Sequence, residues 1–351
     1  MALTIKDVAD KAKVSTATVS RALRGLPNVT PSTQEHVIQI ADEMGYSIDP
    51  IASQLRSGKS RIIGLMLPLA DNWFYSKLST TAEVVLISAG YEAVRYPMAS
   101  MGGQTAFFKR LAARSNLNGL IISTLSLSDE DVDILSNLDI PIVTVETQTD
   151  GFASIITDNL SAAKAATRYL LNLGHNHIGV ITGLEDDPFH FCVPQMRLEG
   201  YQAALKEYGI EPRPELVVPG NFSFAGGAEA MISLLSIPSP PTAIFAFSDE
   251  MAIGAMKTIR EMNLKIPDDI SVIGFDDHDI SAYVGLTTVK QPVTDLGERA
   301  ASLLLEHIEH NKHNNQDAQP HIIMNNRLVV RKTTAPKIIT PLEAQRLMSD
   351  Q

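Results

Sequence analysis

A chain of 351 residues that is 44% apolar is longer than one usual domain and can bury a large core. A net charge of -11 excludes a protein that coats nucleic acid non-specifically, and a single cysteine, Cys192, excludes an intrachain disulfide framework and points to a reducing compartment. No apolar run reaches the roughly 18 to 20 residues of a membrane span, and the N-terminus lacks the apolar region of a secretory signal, so a cytoplasmic location is expected.

The first elements along the chain are two short amphipathic helices. Ile5, Val8, Ala9 and Ala12 fall at helical spacing. After Val14, Ser15 is a natural N-cap, and Val19, Ala22 and Leu23 share the buried side of the second helix. The face left over carries Thr16, Ala17, Thr18, Ser20, Arg21 and Arg24, all small or donor-bearing. Charge is distributed to match: residues 11 to 24 hold four basic side chains and no acid, on a body that is acidic elsewhere. A helix with small residues at its start fits a major groove, and an arginine can read guanine bidentately. The pattern is that of a helix-turn-helix, and it predicts a DNA-binding regulator.

A third helix ends near Gly45-Tyr46. Asp49-Pro50 then offers an N-cap with proline at the first helical position, opening a very short segment to Arg56, and Ser57-Gly58-Lys59-Ser60 reads as a linker. From residue 62 the pattern changes to short β-branched strands alternating with helices. Strands are expected over Ile62–Pro68, Tyr91–Tyr96, Gly119–Thr124, Ile142–Glu146, Ile155–Thr157, Ile178–Thr182, Leu216–Val218, Ala243–Phe247 and Val272–Phe275. The break after Leu160 divides them into two sets. Each set implies a doubly wound parallel sheet, with a ligand cleft at the carboxyl ends of the strands. The expected fold is thus an all-α headpiece followed by a two-lobe α/β core. Asn311 to Gln319 is a polar loop, and the tail from Ala335 has no assignment.

Several runs together resemble the LacI/GalR family of bacterial transcription regulators. They are Asp7-Val8-Ala9, Val14-Ser15, Thr18-Val19-Ser20-Arg21, Val29-Thr30, Thr33, Val37, Gly45-Tyr46, Ala52 and Leu55 in the first part. Leu173-Gly174-His175, Asp249 to Gly254, Val272 to Asp277 and Leu286 to Val289 continue the likeness, which spans residues 3 to about 331. The resemblance implies a DNA-binding domain at 1–47, a hinge helix and linker at 48–60, and a two-lobe core of the periplasmic-binding-protein type I-like architecture at 61–334. The chain is then expected to cross between lobes near residues 160, 291 and 322, with 335–351 as a tail.

By the same resemblance Thr16, Ala17 and Arg21 read bases, while Thr4, Ser15, Thr18, Ser20 and Thr30 contact phosphates, which fixes register without reading sequence. Serine and threonine here also serve simply as caps. Arg24 and Lys6 stand where members often carry Asn and Tyr, so backbone contacts or flanking-base preference differ; Ser53 and Ile48 depart likewise. Ala52 and Leu55 fall in the hinge, where the family's leucine wedges into the minor groove. One headpiece makes few contacts, so a homodimer on a pseudo-palindromic operator is expected. The helix from about Tyr75 to Ser88 is a candidate dimer surface, with burial inside the monomer as the alternative.

Polar and aromatic residues at predicted strand ends outline the effector site: Asn72, Trp73, Phe74, Asp158, Arg197, Phe222, Ser248 and Asp276. Arg197 and Asp276 match the family's ligand clamp and Phe222 its stacking position; Ser248 lies where many members have Asn. A carboxylate, a guanidinium and aromatic rings suit a carbohydrate, and a purine fits a similar clamp. Bland roles stand beside these: Asp158 or Asp249 as helix caps, Trp73 and Phe222 as core, Arg197 paired structurally to an acid. The expected function is a ligand-responsive repressor of carbohydrate-utilisation genes. A solute-binding protein would need a secretory signal in place of the helix-turn-helix. An enzyme would need an acid/base pair, and neighbouring Asp276 and Asp277 leave a strand in opposite directions. Neither a metal nor another cofactor is expected: Glu185-Asp186-Asp187 with His190 reads as a solvated loop, and His307, His310 and His313 as a helix end.

Overall fold

The computed structural model describes residues 3–23, 27–46, 61–69, 72–113, 116–184, 191–310 and 319–337. The chain divides into two compact units, Met1–Arg61 and Ile62–Gln351.

The first unit holds three helices, α1 (Ile5–Ala12), α2 (Thr16–Leu23) and α3 (Pro31–Met44). Val8, Ala9, Ala12, Val19, Ala22, Val37, Ile40 and Ala41 form its core, the residues that the helical spacing selects. The Asp7 carboxylate accepts from both the backbone N–H and the hydroxyl of Thr4 at 2.7 Å, which closes the first turn of α1. Lys13 ends α1 in the left-handed region (φ 53°), and the Ser15 hydroxyl accepts from Thr18 N–H at 3.1 Å to start α2.

The second unit contains two six-stranded sheets. In the first lobe the chain runs β1 (Ile62–Pro68), α4 (Trp73–Ser88), β2 (Glu92–Met98), α5 (Met101–Ala113), β3 (Leu117–Ser123), α6 (Asp129–Ser136), β4 (Ile142–Val145) and β5 (Ala153–Thr157). The second lobe follows with α7 (Asn159–Asn172), β6 (Ile178–Thr182), α8 (Val193–Glu207), β7 (Val217–Pro219), α9 (Phe224–Ser236), β8 (Ala243–Ala246), α10 (Asp249–Glu261), β9 (Ser271–Asp276), the short α11 (Ser281–Val284) and β10 (Thr287–Lys290). The chain then returns as α12 (Val293–Glu309) and β11 (His321–Met324) before ending in the second lobe with β12 (Arg327–Val329). Sheet orders are β11-β5-β4-β3-β1-β2 and β12-β10-β9-β8-β6-β7.

Every pairing is parallel except β10 with β12, and the central strands are buried on both faces, as covered parallel strands must be. The nine expected strands form with ends shifted by at most two residues. Three further strands, β10, β11 and β12, are not expected from the pattern. They hold only three or four residues each, and β11 and β12 are edge strands with mixed exposure. The crossing expected near 322 lies between Met324 and Arg327, just beyond Ile322, which sits inside β11 paired with Ile155. The segment after Ala335 is anchored as far as Lys337, through His175 to the Ala335 carbonyl at 3.0 Å and Lys337 N–H to the Leu173 carbonyl at 2.8 Å.

Candidate functional site

In the first unit the predicted reading face is presented to solvent. Thr4, Ser15, Thr16, Ala17, Arg21 and Thr30 are exposed, and Thr18 and Ser20 are half-buried. Thr4, Ser15, Thr18 and Thr30 also act within helix caps, so capping and contact roles coexist on the same hydroxyls. Among the described residues Arg21 has no hydrogen-bond or ion-pair partner, which leaves its guanidinium available. Arg24, Ala52 and Leu55 lie outside the described residues, as does the whole hinge.

In the core, the carboxyl ends of β1, β4, β6, β7, β8, β9 and β10 and the segments that follow them converge on one cleft of about 510 Å³ between the lobes. Its wall brings together seven of the eight expected residues: Asn72, Trp73, Phe74, Arg197, Phe222, Ser248 and Asp276. Asp158 is the correction. It is exposed, its carboxylate accepts from Ser161 N–H at 2.9 Å as the cap of α7, and it stands outside the cleft wall. The helix that begins one residue later leaves its first N–H groups in need of an acceptor, and a side chain so placed serves them first.

Arg197 is the buried centre of the cleft floor. Its Nε donates to Asn159 Oδ1 at 2.9 Å and its Nη1 to the Phe247 carbonyl, while the guanidinium lies 3.5 Å over the Phe275 ring. Desolvation pulls its pKa down to about 10, opposed by Asp276 and Glu146, so the group stays cationic at neutral pH. Asp276 accepts from Gln291 Nε2 at 2.6 Å, and burial pushes its carboxyl up to about 7 against the pull of Arg197. Asp249, behind it, accepts from His278 N–H (2.8 Å), Ser281 Oγ (2.6 Å) and Thr288 Oγ1 (2.5 Å). Burial, then the neighbouring Asp276, holds its carboxyl well above the usual carboxylate range. Asp277 turns away from the cleft to Arg331 at 2.6 Å, so the adjacent aspartates do separate work.

Strained backbone marks the same rim. Glu146 (φ 55°), Phe222 (φ 50°) and Asp276 (φ 124°) all hold positive φ at the carboxyl ends of strands, a cost that clusters at ligand clamps. Phe222 packs so close over Gly183 that a Cβ there would lie 2.5 Å from its ring. Ser248 lines the cleft while its hydroxyl accepts from Met251 N–H at 3.2 Å, and Asn72 likewise caps α4 through Tyr75 N–H at 3.1 Å. Both have a structural duty at the wall.

Tyr75, Glu146, Phe191, Val193, Glu250 and Gln291 complete the wall and are missed by the sequence reading. Glu146 was within reach of the strand-end rule, since it closes the expected strand Ile142–Glu146. It is buried, takes Thr157 N–H at 2.8 Å and Asn159 Nδ2 at 2.8 Å, and its carboxyl is raised by desolvation. Gln291 sits at the expected crossover near 291. Phe191 carries no local signal.

Residues 4–49 match the description "Bacterial regulatory proteins, lacI family", and residues 167–334 match "Periplasmic binding protein-like domain". The chain is 36% identical over 313 residues to the HTH-type transcriptional repressor CytR of Escherichia coli (strain K12), covering 88% of this chain and 90% of that protein. It belongs to the LacI family. The chain is also 32% identical over 338 residues to the repressor PurR of Vibrio vulnificus (strain CMCP6), covering 94% and 98% of the two chains. It is 31% identical over 312 residues to catabolite control protein A of Priestia megaterium, covering 88% and 93%. Among solved structures, a lac repressor dimer bound to operator and the anti-inducer ONPF superposes with a TM-score of 0.81 at 26% identity, covering 95% of this chain and all of that one. A complex of the regulator CelR with cellobiose gives 0.68 at 26% identity with the same coverage. As a LacI-family member the chain is a DNA-binding transcriptional regulator with a ligand-binding core. These LacI-family relatives are named as regulators rather than enzymes. Among the described residues no helix is long and apolar enough to cross a membrane.

Proposed function

We propose that this LacI-family regulator is a repressor whose operator affinity is set by an uncharged, hydroxyl-bearing ring compound held between the core lobes: a sugar, or a nucleoside that carries one. One observation carries the choice. The only cation on the cleft wall among the described residues, Arg197, shares that wall with three carboxyl groups, Glu146, Glu250 and Asp276. Such a wall offers acceptors to hydroxyl and amino donors and repels phosphate. Trp73, Phe74, Tyr75, Phe191 and Phe222 supply apolar faces for a ring, which favours the nucleoside as the second reading. The named complex of CelR with cellobiose supports the sugar.

Operator contacts are assigned to Thr16, Ala17 and Arg21 for bases and to Thr4, Ser15, Thr18, Ser20 and Thr30 for phosphates, with Arg24, Ala52 and Leu55 completing the set. Two headpieces on a pseudo-palindrome require a dimer. The exposed Val84 and Ile87 on α4 offer a surface for it. Effector and operator then change each other's affinity by the same factor.

A thermal-shift panel tests the effector. Neutral sugars and nucleosides, each beside its phosphate ester, are scanned against the wild type and Asp276→Ala. A neutral compound that raises the melting temperature, with the effect lost on phosphorylation and in Asp276→Ala, is the expected result. Stronger stabilisation by the phosphate ester would overturn the proposal.

A further inference from the structure

Across the mouth of the cleft, α4 of the first lobe meets the second lobe through Trp73 and Lys77. Trp73, the first residue of α4 in the first lobe, gives its backbone N–H to Glu250 Oε1 at 3.2 Å and its indole N–H to Asp279 Oδ2 at 3.1 Å. Its ring lies against His278, centroids 5.0 Å apart at 32°. One turn along α4, Lys77 Nζ also reaches Asp279 Oδ2 at 3.4 Å and stands 6.0 Å from the Trp73 ring centroid. Glu250, His278 and Asp279 all belong to the second lobe. Trp73 and Glu250 line the cleft, whereas Lys77, His278 and Asp279 stand outside its wall.

We propose that Asp279, supported by Lys77, is a positioning residue for the effector pocket: it tethers the Trp73 indole across the cleft mouth, so that the aromatic wall is complete only while the lobes are closed. The Asp279 carboxyl is held below the usual carboxylate range first by the indole hydrogen bond and then by Lys77, as such a tether requires. The Asp279 side chain is 67% exposed, so the clasp forms in high dielectric and is weak. Weakness suits its place, since an effector enters only by opening it. Loss of Asp279 therefore lowers effector affinity although Asp279 does not touch the pocket. That consequence rests on the effector reading above; the tether itself does not.

Trp73 is the one tryptophan of the chain, so selectively excited tryptophan emission reports on it alone. The test uses the full-length protein without effector, with acrylamide as the quenching probe. Asp279→Ala is expected to shift emission to the red and raise the quenching constant about twofold or more, with the melting temperature unchanged within a few degrees. Asp279→Asn keeps a carbonyl acceptor for the indole but not the charge for Lys77, and should stay near the wild type. His278→Ala, which strips the opposite face of the ring, gives an independent rise in quenching. Emission and quenching of Asp279→Ala indistinguishable from the wild type, in a folded protein, would overturn the assignment. An effector panel with no hits would count against the effector reading and leave this result standing.

Discussion

Replacing Arg197 with methionine removes the single cation from a buried cluster while keeping the length of the side chain. In the wild type that guanidinium faces Asp276 and Glu146, bonds Asn159 and the Phe247 carbonyl, and covers the Phe275 ring. Breaking a buried ion pair from one side costs about 3–5 kcal/mol, because the remaining charge is left without compensation. At roughly 2–4 °C per kcal/mol, the melting temperature should fall by about 6–20 °C at alkaline pH, where the carboxyls stay charged. The deficit should depend on pH in a specified direction. Burial raises the Asp276 carboxyl from 3.8 to about 7 even with Arg197 present. A carboxyl raised in the folded state contributes stability fully below its unfolded value and loses it as pH rises through the folded value. Without Arg197 both Asp276 and Glu146 take up protons more readily, so the gap between variant and wild type should be smallest below about pH 7, where Asp276 is protonated in both proteins, and should widen as pH rises above it. Thermal melts of both proteins from about pH 6 to about pH 9, followed by circular dichroism, measure it. A fall of less than about 2 °C, or a gap that is the same at both ends of the range, would refute the buried-charge argument.

Four further outcomes are expected. Gly274→Ala places a Cβ 2.1 Å from Asp249 Oδ1, an atom already held by Thr288, so urea unfolding should show a loss of about 1–3 kcal/mol from overpacking. Arg21→Ala should cost about 1–3 kcal/mol per half-site and relax preference at one base pair, measured by gel shift across operator variants. Leu55→Ala should weaken specific operator binding far more than binding to random DNA; equal loss on both would argue against a minor-groove wedge. Ile87→Asp, a charge placed on an apolar position of α4 that is 63% exposed, should lower the dimer fraction in sedimentation without lowering the melting temperature of the monomer.

Strand ends were the most legible part of the site. In a doubly wound sheet the ligand cleft lies at the carboxyl ends of the strands, so a polar residue just after an apolar run is already a candidate. That rule placed Trp73, Ser248 and Asp276 on the cleft wall and extends without change to Glu146. It failed at Asp158 because the residue after β5 also precedes a helix, and local capping takes the side chain before the cleft can. Glu250 lies within reach of the same rule, three residues after the expected strand Ala243–Phe247, whereas Phe191 follows no strand end and carries no local signal.

By itself the amino-acid sequence determined the headpiece helices, the alternation of strands and helices, the break between the lobes and the family, because periodicity, capping and turn residues act over a few positions. Only the tertiary structure decided that β11 and β12 pair as edge strands, that Gln291 holds Asp276 and Asn159 holds Arg197, and that Trp73 meets Asp279 across the cleft. Each of these joins residues far apart in the chain, Trp73 and Asp279 by 206 positions. Their pairing follows from how two separately packed sheets face one another, and no local pattern encodes it.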